Sequence, residues 1–531
     1  MASQGPPQGL EARERATLAK VLSQGDENAF SVSEHRIPMA DGIELRANLY
    51  QPDLPAGSKP RGLLYVHSPY GRTGIMALVN SECFASRGYA VLLVSCRGTD
   101  GSGGTFVAAM HEQADTQAVV RWMRAQPWYP GTFATFGPSY LGYTQWALLR
   151  DPPADLVASV ILCAVYDHAR LAWMNGAYRT DRVVWSYFVS RQDAAASSGG
   201  SLASVIDPVK LNAAVQATPL YDAAADLFEG KASYQLDFMK KPNVDGAAAF
   251  AQRLTLATYA RVRDRGMPVY LTVGPWTHTE ACGASELPEV FAFLDKHVAG
   301  RTVGTTGTTM ESTSDNNNND YRPLPVNVAH LLPPRRRDAR RADAARAADA
   351  PSASFTYDPN NPTPSLGGPL LAGGGRADDS AYASRADVLV YTSAPLEADL
   401  ALMGPPVVHL AHATDVPHAD LWVRLSEVGT DGVSHNLTEG WQALDGVGVA
   451  AGDGGAARPD GAPFSLALVD RAHVFQKGTR IRVIVAGGSF PMLVPNPGTG
   501  VNRTLARERK AVTHIVQHGN GISKLVLPCL A

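Results

Sequence analysis

The chain is poor in cysteine, nearly uncharged overall and without a long apolar run. Each absence removes a class of protein. Its five cysteines (Cys83, Cys96, Cys163, Cys282 and Cys529) are odd in number, widely spaced and lack a C-x-x-C pair. That pattern fits free thiols in a reducing compartment rather than a disulfide framework or a zinc site. A net charge of −3 gives no reason to expect nucleic acid or a membrane surface as partner. No run of about 18 apolar residues is present to span a membrane. The opening MASQGPPQGLEARERATLAKVL lacks the apolar core of a signal peptide. The expectation is a cytoplasmic globular protein without metal or cofactor, and 531 residues suffice for two or three domains.

What is present points to one turn. Thr132–Phe136 is a short β-branched and aromatic run after Pro130-Gly131, and reads as a buried strand. Tyr140–Arg150 carries apolar residues at helical spacing and no proline. Gly137-Pro138-Ser139-Tyr140-Leu141-Gly142 joins them. A serine on a sharp strand-to-helix turn presents its hydroxyl beside a helix N-terminus, as in a nucleophile elbow. The spacing differs from G-x-S-x-G, because the second glycine falls one position late. On these six residues alone, a serine that merely caps the helix is an equal reading.

Two further segments bear on the choice. Val269–Val273 reads as a strand leading into Gly274-Pro275-Trp276-Thr277-His278, which places a histidine on a loop after a late strand. Gly62–Val66 reads as an early strand followed by His67-Ser68-Pro69-Tyr70-Gly71-Arg72. In an α/β-hydrolase these are the places of the general base and of an oxyanion-hole donor. From position alone, a packing aromatic on a Pro-Gly turn is the better reading of Tyr70.

The chain resembles the cocaine esterase and X-Pro dipeptidyl-peptidase-like serine hydrolases, the CocE/NonD family. The residues that carry this are Asp41–Tyr50 (the N-terminal hairpin), Ser68-Pro69-Tyr70, and Arg97–Phe106 as R-G-x-x-x-S-x-G-x-F. Glu112, Asp115, Trp122 and Gln126-Pro127-Trp128 fit the following helix, Gly137–Trp146 the elbow, and Gly274–His278 the histidine loop. The resemblance implies Ser139 as nucleophile, His278 as general base, and the Tyr70 hydroxyl and Tyr140 backbone N–H as oxyanion hole. It also implies cleavage of a small-molecule ester or amide without a cofactor.

The triad acid is where the chain departs from the family. The family's G-W-x-D strand end is absent before Thr255–Arg263, which matches the helix after the acid. Asp245, in Lys241–Phe250, is the nearest carboxylate and is taken as the acid; Asp237 and Asp264 are weaker alternatives. The remaining alternative is that the acid-bearing strand is missing and the chain is a degenerate member acting at most as a binding protein.

The expected architecture is an α/β-hydrolase core over 30–164 and 250–300, with a helical cap at 165–249 that the resemblance places over the active site. Residues 301–350, rich in Thr, Ser and Asn and then in Arg, Ala and Asp, read as a low-complexity linker. Short β-type runs from Val388–Thr392 to Lys524–Leu527 read as a sandwich over 351–531. They resemble the family's jelly-roll-like, non-catalytic C-terminal domain. No residue fixes a charged pocket for a substrate amine, so an esterase or acylase is favoured over an X-Pro dipeptidyl peptidase.

Overall fold

A computed structural model describes residues 15–20, 28–164, 171–197, 206–241, 268–270, 278, 281–283, 286–301, 326–330, 352–371, 374–444, 463–518 and 523–529. The chain divides into two compact units. The first comprises Met1–His168, Trp185–Pro208 and Tyr270–Glu311; the second comprises Ala169–Val184, Val209–Val269 and Ser312–Ala531.

The first unit is built on a mixed six-stranded sheet. Its strands are β1 (Phe30–Pro38), β2 (Glu44–Pro52), β3 (Leu63–Ser68), β4 (Ala90–Ser95), β5 (Phe133–Pro138) and β6 (Leu156–Leu162), in the order β1-β2-β4-β3-β5-β6. The β1–β2 hairpin is antiparallel, and β4, β3, β5 and β6 run parallel. Every residue of β3, β4 and β5 is buried, which is why these strands read as mostly apolar runs without alternation. Alternate residues serve opposite faces. Leu64, Val66, Val91, Leu93 and Phe136 join a cluster with Phe84, Phe291 and Leu294. Leu63, Tyr65, Leu92, Val94 and Phe133 join another with Val119, Val120 and Met123. The second cluster draws on helix α1 (Glu112–Arg124), the first on the helix Leu287–His297.

Helix α2 (Tyr140–Leu148) follows β5, and helix α3 (Asp181–Ser190) lies in the expected cap segment. The named elements described in the cap segment are all helical, with further helices Pro208–Gln216, Leu220–Phe228 and Ser233–Lys240.

The second unit is β-rich. Ser434–Ala443, Asp420–Val428, Arg480–Ala486 and Val388–Thr392 form a four-stranded sheet in that order. A six-stranded sheet includes Lys524–Pro528, Val407–Thr414, Val512–Gln517 and Ala353–Tyr357. Leu421, Val423, Leu425 and Val485 of the first sheet and Val408, Leu410, Val516 and Leu527 of the second share one core cluster, so the two sheets pack face to face. Val326–His330, within the stretch expected to be linker, is a strand paired with Lys524–Pro528. The rest of 302–351 lies outside the described residues.

Candidate active site

The sheet order makes the site. Growth of the sheet runs from β3 to β4 on one side and then to β5 on the other, so β3 and β5 are neighbours at a topological switch point. The crevice outside the carboxyl ends of such strands is where α/β proteins hold their ligands. Tyr70 follows β3, Ser139 follows β5 and Cys163 follows β6.

Ser139 has φ 55° and ψ −122°, a left-handed backbone that few non-glycine residues adopt. The two glycines make the turn sterically possible. A β-carbon at Gly137 would lie 2.3 Å from the Leu141 β-carbon, and one at Gly142 would lie 2.3 Å from that of Ala164. The late second glycine therefore lets α2 settle against the chain at the end of β6. The Ser139 hydroxyl makes no helix-capping bond, and it lies 3.0 Å from His278 Nε2. The capping reading is thereby excluded, and the nucleophile and base expected from the sequence are brought together.

Tyr70 is held twice. Its backbone N–H donates to Ser68 Oγ at 3.0 Å, and its hydroxyl accepts from Trp185 Nε1 at 2.9 Å. Trp185, on α3, stacks on the Tyr140 ring with centroids 5.3 Å apart. The buried Tyr140 phenol donates to Glu112 and accepts the Ala109 N–H at 2.8 Å. Burial pushes both the Tyr140 phenol and the Glu112 carboxyl up, so the phenol keeps its proton and its bond. The ring thus anchors the first residue of α2, whose backbone N–H is the other expected oxyanion donor. Trp185 lies in the expected cap segment, and no spacing signal in the sequence links it to Tyr70.

His67, at the end of β3, is 3% exposed and shares a 2.7 Å hydrogen bond through Nδ1 with the Tyr65 hydroxyl. Burial lowers its pKa to about 4, so it sits neutral in the fold.

The expected acid is not placed beside His278. Asp245 and Asp264 lie outside the described residues, and Asp237 is exposed on the helix Ser233–Lys240 of the second unit. The strand expected at Val269–Val273 is described only at its first two residues, which are not strand; Gly274–Thr277 also lie outside. Two thiols do stand beside His278. Cys163 Sγ is 3.5 Å from Cys282 Sγ, and both lie within 4.8 Å of a His278 ring nitrogen. Hydrogen bonding from Cys282, opposed by burial and aided by His278, holds the Cys163 thiol well below its ordinary range. Sequence spacing hides this pair, because the two cysteines are 119 positions apart.

No described helix is long and apolar enough to cross a membrane. Residues 41–280 match the X-Pro dipeptidyl-peptidase (S15 family) model, and 272–526 match the X-Pro dipeptidyl-peptidase C-terminal non-catalytic domain. The chain is 26% identical over 580 residues to the cocaine esterase of Rhodococcus sp. (strain MB1 Bresler), covering 95% of this chain and 99% of that protein. Its fold is similar to an aminopeptidase from the marine sediment archaeon Thaumarchaeota archaeon (TM-score 0.73, 18% identity, 100% of this chain and 98% of that one). It is similar too to an α-amino acid ester hydrolase (TM-score 0.66, 19% identity, 94% and 97%). A CocE/NonD family hydrolase from Staphylococcus aureus shares it as well (TM-score 0.61, 15% identity, 94% of both). An S15-type hydrolase match over 41–280, an X-Pro dipeptidyl-peptidase-type C-terminal match over 272–526 and the full-length similarity to an esterase together support a CocE/NonD-like serine hydrolase.

Proposed function

We propose that this protein hydrolyses a small-molecule ester or amide through an acyl-enzyme on Ser139. The observation that carries the reading is the strained Ser139 with its hydroxyl unused for capping and 3.0 Å from His278 Nε2. A serine hydroxyl becomes a competent nucleophile when an adjacent imidazole takes its proton. His278 accepts that proton as Ser139 Oγ attacks the carbonyl carbon, and returns it to the leaving group. Water, activated by the same imidazole, then releases the acid. The Tyr70 hydroxyl and Tyr140 N–H stabilise the oxyanion in both steps, and Asp245 holds the His278 tautomer. Chain order supports Asp245, which lies between nucleophile and base as α/β-hydrolases require. The β-rich domain is read as jelly-roll-like, and the protein as cytoplasmic.

An esterase or acylase is preferred, supported by the full-length similarity to a cocaine esterase. The match of 41–280 to the S15 model favours a second reading, X-Pro dipeptidyl-peptidase activity. A fluorophosphonate probe tests the mechanism: stoichiometric labelling that disappears in Ser139→Ala is expected, and absence of labelling in the parent chain refutes it. Rates on p-nitrophenyl esters against Xaa-Pro anilides separate the two readings.

A further inference from the structure

We propose that Cys163, Cys282 and His278 form a binding site for a soft divalent cation such as Zn²⁺, and that its occupancy blocks the hydrolase. The inhibitory half rests on the function proposed above; the binding half does not. Three donors of zinc-preferring type converge here, two thiols and an imidazole, with all three atoms within 4.8 Å of one another. A tetrahedral zinc with Zn–S of ~2.3 Å and Zn–N of ~2.0 Å sets its ligands about 3.5–3.8 Å apart. The two sulfurs already stand at 3.5 Å. The remaining donors need to close by at most ~1.3 Å, within reach of side-chain rotation.

The backbone explains why the donors meet. Pro138 and Leu162 are paired in register on the parallel strands β5 and β6, and the Ser139 N–H donates to the Leu162 carbonyl at 2.9 Å. Ser139 and Cys163 are therefore the next residues on two adjacent strands. Cys163 has φ 38°, so the chain turns sharply there, as it does at Ser139.

Binding releases the two thiol protons to the buffer and takes up the lone pair of neutral His278. The fourth position falls to water or to Ser139 Oγ, which lies 3.0 Å from His278 Nε2. An imidazole ligated to zinc through the nitrogen that faces Ser139 accepts no proton. Ligated through the other, it carries its N–H on the nitrogen that faces Ser139 and has no lone pair left to accept a proton. Both arrangements stop acylation.

The test uses the full-length reduced protein. Competition with a chromophoric chelator should show one zinc equivalent bound. Co²⁺ should give a thiolate-to-metal charge-transfer band at the same stoichiometry. Cys163→Ser and Cys282→Ser should each weaken binding by more than about 100-fold, beyond what loss of an outer-shell partner costs. A circular-dichroism melt of each variant confirms that it has folded. In the ester assay, one zinc equivalent should suppress the parent rate and a chelator should restore it. The ratio of rates with and without zinc should approach one in Cys282→Ser. Binding with no ester turnover under any condition leaves the site standing and removes the proposed function. No stoichiometric binding, equal binding in both serine variants, or a Cys163–Cys282 disulfide that resists reductant overturns the site. Stoichiometric binding that leaves turnover untouched overturns the inhibitory role.

Discussion

The Trp185 indole N–H donates to the Tyr70 hydroxyl at 2.9 Å, and the direction of that bond matters. An indole nitrogen can only donate, so Tyr70 acts here as acceptor and its own proton is not spent on Trp185. The bond orients the phenol while leaving its O–H to point elsewhere, as an oxyanion donor requires. Tyr70→Phe is expected to lower kcat by ~10²–10³-fold, the usual effect of losing one such donor. Trp185→Phe keeps an aromatic side chain against Tyr140 and removes the positioning bond, worth ~1 kcal/mol, so kcat should fall about fivefold with KM little changed. A Trp185→Phe enzyme that loses KM and keeps kcat would make this residue part of the substrate pocket instead.

Asp245 is the next test. If it holds the His278 tautomer, Asp245→Asn should drop kcat by ~10⁴-fold with no change in melting temperature. Steady-state kinetics of that variant decide it. Near-normal turnover would transfer the supporting role to another group.

His67 gives the fold an acid-sensitive element. Its folded pKa, about 4, lies below the ordinary 6.5 because burial disfavours the charged ring. Between those values the unfolded chain binds a proton that the folded chain does not, so stability is present above 6.5 and is lost as pH falls towards 4. The loss should reach ~3 kcal/mol in order of magnitude. His67→Gln should show a smaller fall in thermal midpoint between pH 7 and pH 4.5 than the parent. Equal falls would exclude His67 as the source.

Gly142 should tolerate no side chain. Its β-carbon would meet Ala164 at 2.3 Å and Ile161 Cγ2 at 3.1 Å. Gly142→Ala is expected to cost ~1–3 kcal/mol through overpacking, read as a lowered melting temperature. An unchanged melt would show that α2 can lift from β6 freely.

The parallel strands were legible because both faces of the sheet are covered, so β3, β4 and β5 are buried at every position and mostly apolar. Ser434–Ala443 did not read as a strand, because it carries His435, Asn436, Thr438 and Glu439. Its buried Glu439 is tolerated through a 2.8 Å bond from the equally buried Arg424, a pairing invisible to hydrophobic patterning. Ser139 and His278 were legible through local turn chemistry. Trp185 and the Cys163–Cys282 pair were not, because only the tertiary path of the chain brings them to the same strand ends.

The register of β5 against β6 limits what mutation can do at this site. Strand pairing shifts only in whole residues, and a slip of one sends every side chain to the opposite face. The spacing between the Ser139 and Cys163 backbones is therefore a property of the ladder, not of any side chain. Point substitutions can delete the hydroxyl or the thiol, but none can move one away from the other. An engineer who wants the elbow without its sulfur neighbour has to change the residue at 163, because only an insertion or deletion in a strand would separate the two, and it would dismantle the sheet that holds them.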